Sequence, residues 1–463
     1  MTTLHAPVSD RHDAAVRDRI ARLNADATDR SRVELVDAWD DGARVERYRL
    51  GNGLTVIVWE DATAPVFAYQ TWFQVGSRHD VPGRTGIAHL FEHMMFKATK
   101  NHPEGELDTL MEARGAQTNA ATWVDWTYYR EKLPVGNLEL VVSLEADRME
   151  NLVLNHDQLE SEREVVKNER LMRVDNDAEG RLYEALYAKA FEVHSYGWPT
   201  IGWMEDIQAI TLEDCQRFYK RYYSPNNATV VVVGAVDTEE LLGLVQRYYG
   251  HLSRQDVPEE TLRVEPPQRA EKRERMALPL AAPKALYAWH APAVTDASFP
   301  ALEVLNEVLA GGDSARLYKA LVTDLELCTE VSGWTAGWAQ PGLYEIGLTL
   351  HPEGDLDAAE REMDAILAGL ATTPVTEREI AKAVNGIEAG FLRGAADTGT
   401  RARRLGNAEV SAGDYREYWH HQAALRRVTP ADVQRVAEQV LRASNRTVMI
   451  GEPTATDTEE GQA

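Results

Sequence analysis

His89, Glu92 and His93 stand close together in the stretch Gly86–Phe96, whose apolar spacing is that of a buried helix. Helical residues three and four apart share a face, so the two imidazoles and the carboxylate project together. Two imidazoles one turn apart suit a zinc ion, which binds histidine at about 2.0–2.1 Å. The carboxylate between them is then placed to take a proton from water on the ion. Taken alone, a match of five residues also fits two packed core histidines beside a surface glutamate. A catalytic zinc generally takes three protein ligands and keeps one position for water. A third ligand must therefore come from elsewhere in the chain.

Far downstream, residues 160–170 read as a charged helix with Val165 and Val166 on its inner side. Glu162 and Glu169 lie two turns apart on one face of it. By itself such a run is a solvated surface. Around these residues stand Gly76-Ser77-Arg78, Phe96-Lys97-Ala98-Thr99, the stretch 115–129 and His194-Ser195-Tyr196-Gly197-Trp198-Pro199-Thr200-Ile201-Gly202. In order and spacing, these segments make the chain resemble the pitrilysin family of zinc metallopeptidases, the inverzincins. It is most similar to the half-length branch that includes the catalytic beta subunit of mitochondrial processing peptidase. The resemblance runs from about Tyr48 to Gly451.

The resemblance implies a zinc ion held by His89, His93 and Glu169, the last standing 76 positions beyond His93. It implies Glu92 as general base and Glu162 as a residue that orients the ligands. It further implies that Asn119, Ala120 and Ala121 lie on an edge strand to which an extended peptide adds as a further strand. The expected activity is hydrolysis of peptide bonds in unfolded or flexible peptides. Asn119 also reads as a turn residue. Trp123, Trp126, Tyr128 and Tyr129 are expected in strand packing, and His194 in a packing loop rather than on a metal.

The elements that must position these residues occur twice. Thr211 and Thr429, Asp214 and Asp432, and Asn227 and Asn445 are each separated by 218 positions. In both copies a helix leads to a buried strand, opened by Thr211 as N-cap in the first and by Pro430 at the first helical position in the second. The expected fold is α+β: two homologous α/β-sandwich halves, each an antiparallel sheet flanked by helices, together forming half of a clamshell. The expected divisions are a polar extension over 1–40, a zinc-binding domain over 41–254, a linker over 255–275, a homologous domain over 276–452 and a disordered tail over 453–463. At the repeat offset His89 falls on Glu307 and His93 on Gly311, so the second half has no zinc site.

Self-sufficient members of the family carry a substrate-contacting Arg and Tyr in the second half. Here those positions fall on Val322 and Thr329, and Arg316 and Tyr318 read as structural. That departure implies a heterodimer with a homologous subunit lacking zinc, which supplies the pair; a homodimer stays open. Leader-peptide removal and general peptide turnover also both stay open. Inactive core subunits of respiratory complexes usually lose the zinc ligands, whereas this chain keeps all of them and Glu92.

A net charge of −25 makes nucleic acid an unsuitable partner and disfavours anionic membranes. The two cysteines, Cys215 and Cys328, exclude a disulfide framework and suit a reducing compartment. The first 40 residues lack an apolar signal core, and no run approaches a membrane span, so the expected location is cytoplasmic.

Overall fold

The computed structural model describes residues 10–257 and 263–454, which leaves most of the expected tail outside the described residues. They form two compact units. The first comprises 10–167, 200–257 and 394–418; the second comprises 168–199, 263–393 and 419–454. The architecture is α+β as expected, with one helix-flanked sheet in each unit.

Seven strands build the first unit's sheet: β1 Val33–Asp40, β2 Arg44–Leu50, β3 Thr55–Glu60, β4 Val66–Phe73, β5 Gln117–Thr122, β6 Thr127–Pro134 and β7 Ala228–Gly234. Their order is β1-β2-β3-β7-β4-β6-β5. The β3–β7 pair is parallel and the other pairs are antiparallel. β7 lies at the centre and is buried at every position. An unbroken valine run is what a strand covered on both faces requires.

One face carries the helices Ile87–Met94, Leu138–Asn151 and His156–Arg170. Leu90, Phe91, Val141, Val142 and Val166 join Phe73 and Tyr129 there in one core. Val165, expected to face inward beside Val166, is instead 46% exposed. Neighbours on a helix point about 100° apart, and this helix is turned so that Val166 faces the core and Val165 faces solvent. The other face is covered by the helix Thr398–Ala412, which packs on β4 and β7. A Cβ at Gly406 would lie 2.2 Å from the Trp72 indole nitrogen, so glycine sets this close approach.

β1 forms within the stretch read as a polar extension. Its alternating burial is that of an edge strand with one wet face, which polar residues suit.

In the second unit β8 Lys272–Leu278, β9 Lys284–His290, β10 Cys328–Thr335, β11 Leu343–Leu350 and β12 Arg446–Pro453 form a sheet in the order β10-β11-β9-β12-β8. The arrangement repeats that of the first unit: β12 pairs parallel with β8 and antiparallel with β9, as β7 does with β3 and β4. The repeated caps are also present, since Thr211 and Thr429 each form a capping box with the aspartate three residues on. β8 begins inside the segment read as a linker. Its charged side chains stay in water at a sheet edge, which hides the strand from a polarity reading. Arg316 is structural, held by Glu379 at 2.8 and 3.0 Å.

Glu326 has φ 51°, the single non-glycine in the left-handed region among the described residues. That conformation costs an L-residue about 1–2 kcal/mol. Glycine would remove the cost but add about 0.4–1 kcal/mol of freedom to the unfolded chain. Glu326→Gly is therefore expected to raise stability by about 0.5–1 kcal/mol, read as a higher urea midpoint.

Candidate metal centre

Placement of the histidine pair begins before the motif. The helix Ile87–Met94 starts at Gly86, whose φ is 85°. The Asp80 carboxylate accepts the backbone N–H groups of Gly86 at 2.7 Å and Ala88 at 3.2 Å, tying down the helix start. Gly86 abuts Gly202. A Cβ on Gly86 would lie 2.4 Å from the Ile201 carbonyl oxygen, and one on Gly202 would lie 2.4 Å from that of Thr85. Two glycines thus let the helix start press against the turn at 201–202. Leu90, Phe91 and Met94 enter the core, with Phe91 packed on Tyr223 at 4.6 Å. That rotation leaves His89, Glu92 and His93 half-buried on the opposite side.

The rings of His89 and His93 stand 4.9 Å apart at 77°. Glu169 is on the last turn of the helix His156–Arg170, a continuous element anchored by buried Val166. Ligand-capable atoms of His89, His93 and Glu169 all lie within 4.8 Å of one another, the one such grouping of metal-binding side chains among the described residues. Arg173, on the next turn, meets Glu169 at 3.1 Å. The helix there gives way to a π-helical segment, Leu171–Asp175, a form that recurs at functional sites.

Glu162 lies behind the pair. Its carboxylate meets His93 Nδ1 at 3.3 Å and Lys97 Nζ at 2.5 Å. Partial burial pushes the carboxyl up, but the hydrogen bonds from His93 and Lys97 outweigh it and hold it below the usual range. Engaging Nδ1 leaves His93 Nε2 as the nitrogen available to a metal. Two imidazoles and a carboxylate are the donor set of a hydrolytic zinc with one position open, so the residues present fit the ion. Lys97 carried one signal in the sequence, its spacing of one turn from His93.

Behind Glu92 is an aromatic wall. Tyr129 and Tyr223 share a hydroxyl contact of 3.1 Å. Burial, then Tyr223 and the Glu92 carboxylate, push the Tyr129 hydroxyl well above its usual range, so it stays neutral.

β5 is an edge strand, and the histidine-bearing helix packs against it. Gln117, Thr118 and Asn119 are exposed, while Ala120 and Ala121 are half-buried. Asn119 Oδ1 accepts the Ala120 N–H at 2.8 Å. Tyr128 and Tyr129 are packed as expected, but Trp123 is 41% exposed because it lies in the turn between β5 and β6. His194 is a packing residue: Nδ1 accepts the Tyr196 N–H at 3.1 Å and Nε2 meets Gln340 at 3.2 Å. In the second unit Val322 is half-buried, and the Thr329 hydroxyl donates to the Thr349 carbonyl at 3.2 Å. Neither presents a long cationic or phenolic donor.

Two family models match the chain. One, described as insulinase (peptidase family M16), covers residues 55–202, and one described as the peptidase M16 inactive domain covers 209–387. Zinc protease PqqE of Helicobacter pylori is 29% identical over 88% of this chain and 93% of its own length. An uncharacterised zinc protease of Mycobacterium leprae is 30% identical over 86% of this chain and 90% of its own. The beta subunit of the mitochondrial-processing peptidase of Blastocladiella emersonii is 31% identical over 44% of each chain. Among solved structures, a protease from Helicobacter pylori superposes with a TM-score of 0.84 at 28% identity, covering 89% of this chain and all of that one. No helix among the described residues is long and apolar enough to cross a membrane.

Proposed function

Because the chain belongs to the M16 (insulinase/pitrilysin) family of zinc proteases, we propose that it is the catalytic subunit of a zinc endopeptidase acting on extended peptides. The observation that carries this reading is the convergence of His89, His93 and Glu169 within 4.8 Å, beside Glu92 on the same helix. Those three residues would hold the ion. When bound, zinc supplies Lewis-acid polarisation of the scissile carbonyl and acidifies water.

The chain's own residues do the rest. Glu92 takes the proton from the attacking water and returns it to the leaving amine. Glu162 holds His93 in the orientation and tautomer that present Nε2. The free edge of β5 pairs with the substrate main chain through Ala120 and Ala121, and the Asn119 amide donates to a substrate carbonyl. Pairing of this kind takes an extended segment, so folded proteins are poor substrates.

Val322 and Thr329 support a two-chain enzyme in which a homologous subunit supplies the missing cation and phenol. Two buried free thiols, Cys215 and Cys328, support a reducing, cytoplasmic setting. Removal of leader peptides from a dedicated precursor is the processing role this arrangement suits.

The test is mass spectrometry of an unstructured peptide mixture incubated with this chain, with and without a homologous subunit. Cleavage is expected with both subunits, abolished by a chelator and restored by zinc. Cleavage by this chain alone would remove the need for a second subunit. Absence of cleavage under every condition would sink the enzyme reading.

A further inference from the structure

Arg130 and Arg403 are exposed and make no hydrogen bond or ion pair among the described residues. Other exposed cations, such as Arg49 and Arg114, also lack such a partner, so it is the position of these two that sets them apart. Neighbours on the same elements are paired: Lys132 meets Asp397 at 2.5 Å, and Arg401 meets Asp61 at 2.5 Å.

Both lie over one face of the first unit's sheet. Register places Arg130 opposite Asn119 of β5 and opposite Gln70 of β4. Side chains of paired residues share a face, so Asn119, Arg130 and Gln70 form one row. The helix Thr398–Ala412 crosses above that row, since the Gln70 amide donates to the Gly399 carbonyl at 2.9 Å. Arg403 follows Gly399 by one helical turn. Both guanidinium charges act on the Tyr128 hydroxyl, opposing the rise that burial gives it, so the two fields meet beside β5.

We propose that Arg130 and Arg403 form an anion-selecting patch beside β5, which favours peptide substrates carrying aspartate or glutamate on that face. The inference rests on the strand-addition reading of β5. A peptide added to β5 sends alternate side chains to the Asn119 face, about 9.5 Å from the β6 backbone, or two strand spacings. A long arginine and a short acidic side chain together span that gap. The overall negative field makes the opposite forecast, a preference for basic peptides, because net charge governs long-range attraction.

The test measures binding, so it does not depend on turnover. Labelled extended peptides of equal length, acidic, neutral or basic at alternate positions, are titrated by anisotropy into the Glu92→Gln chain. The acidic peptide is expected to bind about tenfold more tightly than the basic one at about 50 mM salt, with the gap closing near about 500 mM as screening sets in. Arg130→Glu combined with Arg403→Glu is expected to invert the order. Tighter binding of the basic peptide by the parent chain would overturn the proposal. So would an unchanged order in a double variant with a native circular-dichroism spectrum. If that variant fails to fold, the parent's order and its salt dependence decide. An acidic preference in a chain that never cleaves peptide would sink the peptidase reading while leaving this one standing.

Discussion

Glu92→Gln is expected to lower the rate of peptide cleavage by about 10²–10⁴-fold, the range lost with a general base, while one zinc stays bound per chain. The amide has nearly the carboxylate's size and keeps its place on the helix Ile87–Met94, so packing of Leu90, Phe91 and Met94 is undisturbed. It has no lone pair basic enough to take the water proton. Glu92 lies outside the convergent set of His89, His93 and Glu169, so the metal donors are untouched. Turnover measured beside zinc content by mass spectrometry separates the alternatives. Zinc lost together with rate would make Glu92 a ligand. An unchanged rate would assign the proton transfer to another group.

Glu169→Gln is expected to abolish stoichiometric zinc, and Glu162→Gln to weaken it by about 10–100-fold, the range for residues that orient a ligand. The ranking follows from position. Glu169 offers an oxygen within 4.8 Å of both imidazoles, whereas Glu162 acts through His93 Nδ1 at 3.3 Å. Loss of the Glu169 charge also frees Arg173, but that guanidinium is 68% exposed, and exposed pairs contribute little to stability. Competition against a chromophoric chelator gives both affinities. A Glu169→Gln chain that binds zinc as tightly as the parent would place the third ligand elsewhere.

The histidine motif was legible in the sequence because its chemistry is local. Five consecutive residues on one turn fix the relation of His89, Glu92 and His93 without help from the fold. Glu169 was not legible in that way. Its charged helix reads as surface, and family spacing alone singled it out; the buried Val166 beneath it is what makes the position definite. The Gly86–Gly202 contact escaped because it joins backbone to backbone across more than a hundred residues, and a glycine in sequence does not announce its partner. The repeat of 218 residues predicted both helix starts and both buried strands correctly. It could not show that residues 394–418 return to the first unit, since repeat spacing carries no information on which sheet a helix covers.

That return has a consequence for biosynthesis. β7 completes the centre of the first sheet at Gly234, but the helix that covers Trp72 ends at Ala412, 178 residues later (412 − 234). At synthesis rates of about 5–20 residues per second, the sheet waits roughly ten to thirty seconds with that face bare. The unit that carries His89 and His93 therefore closes long after those two residues have left the ribosome.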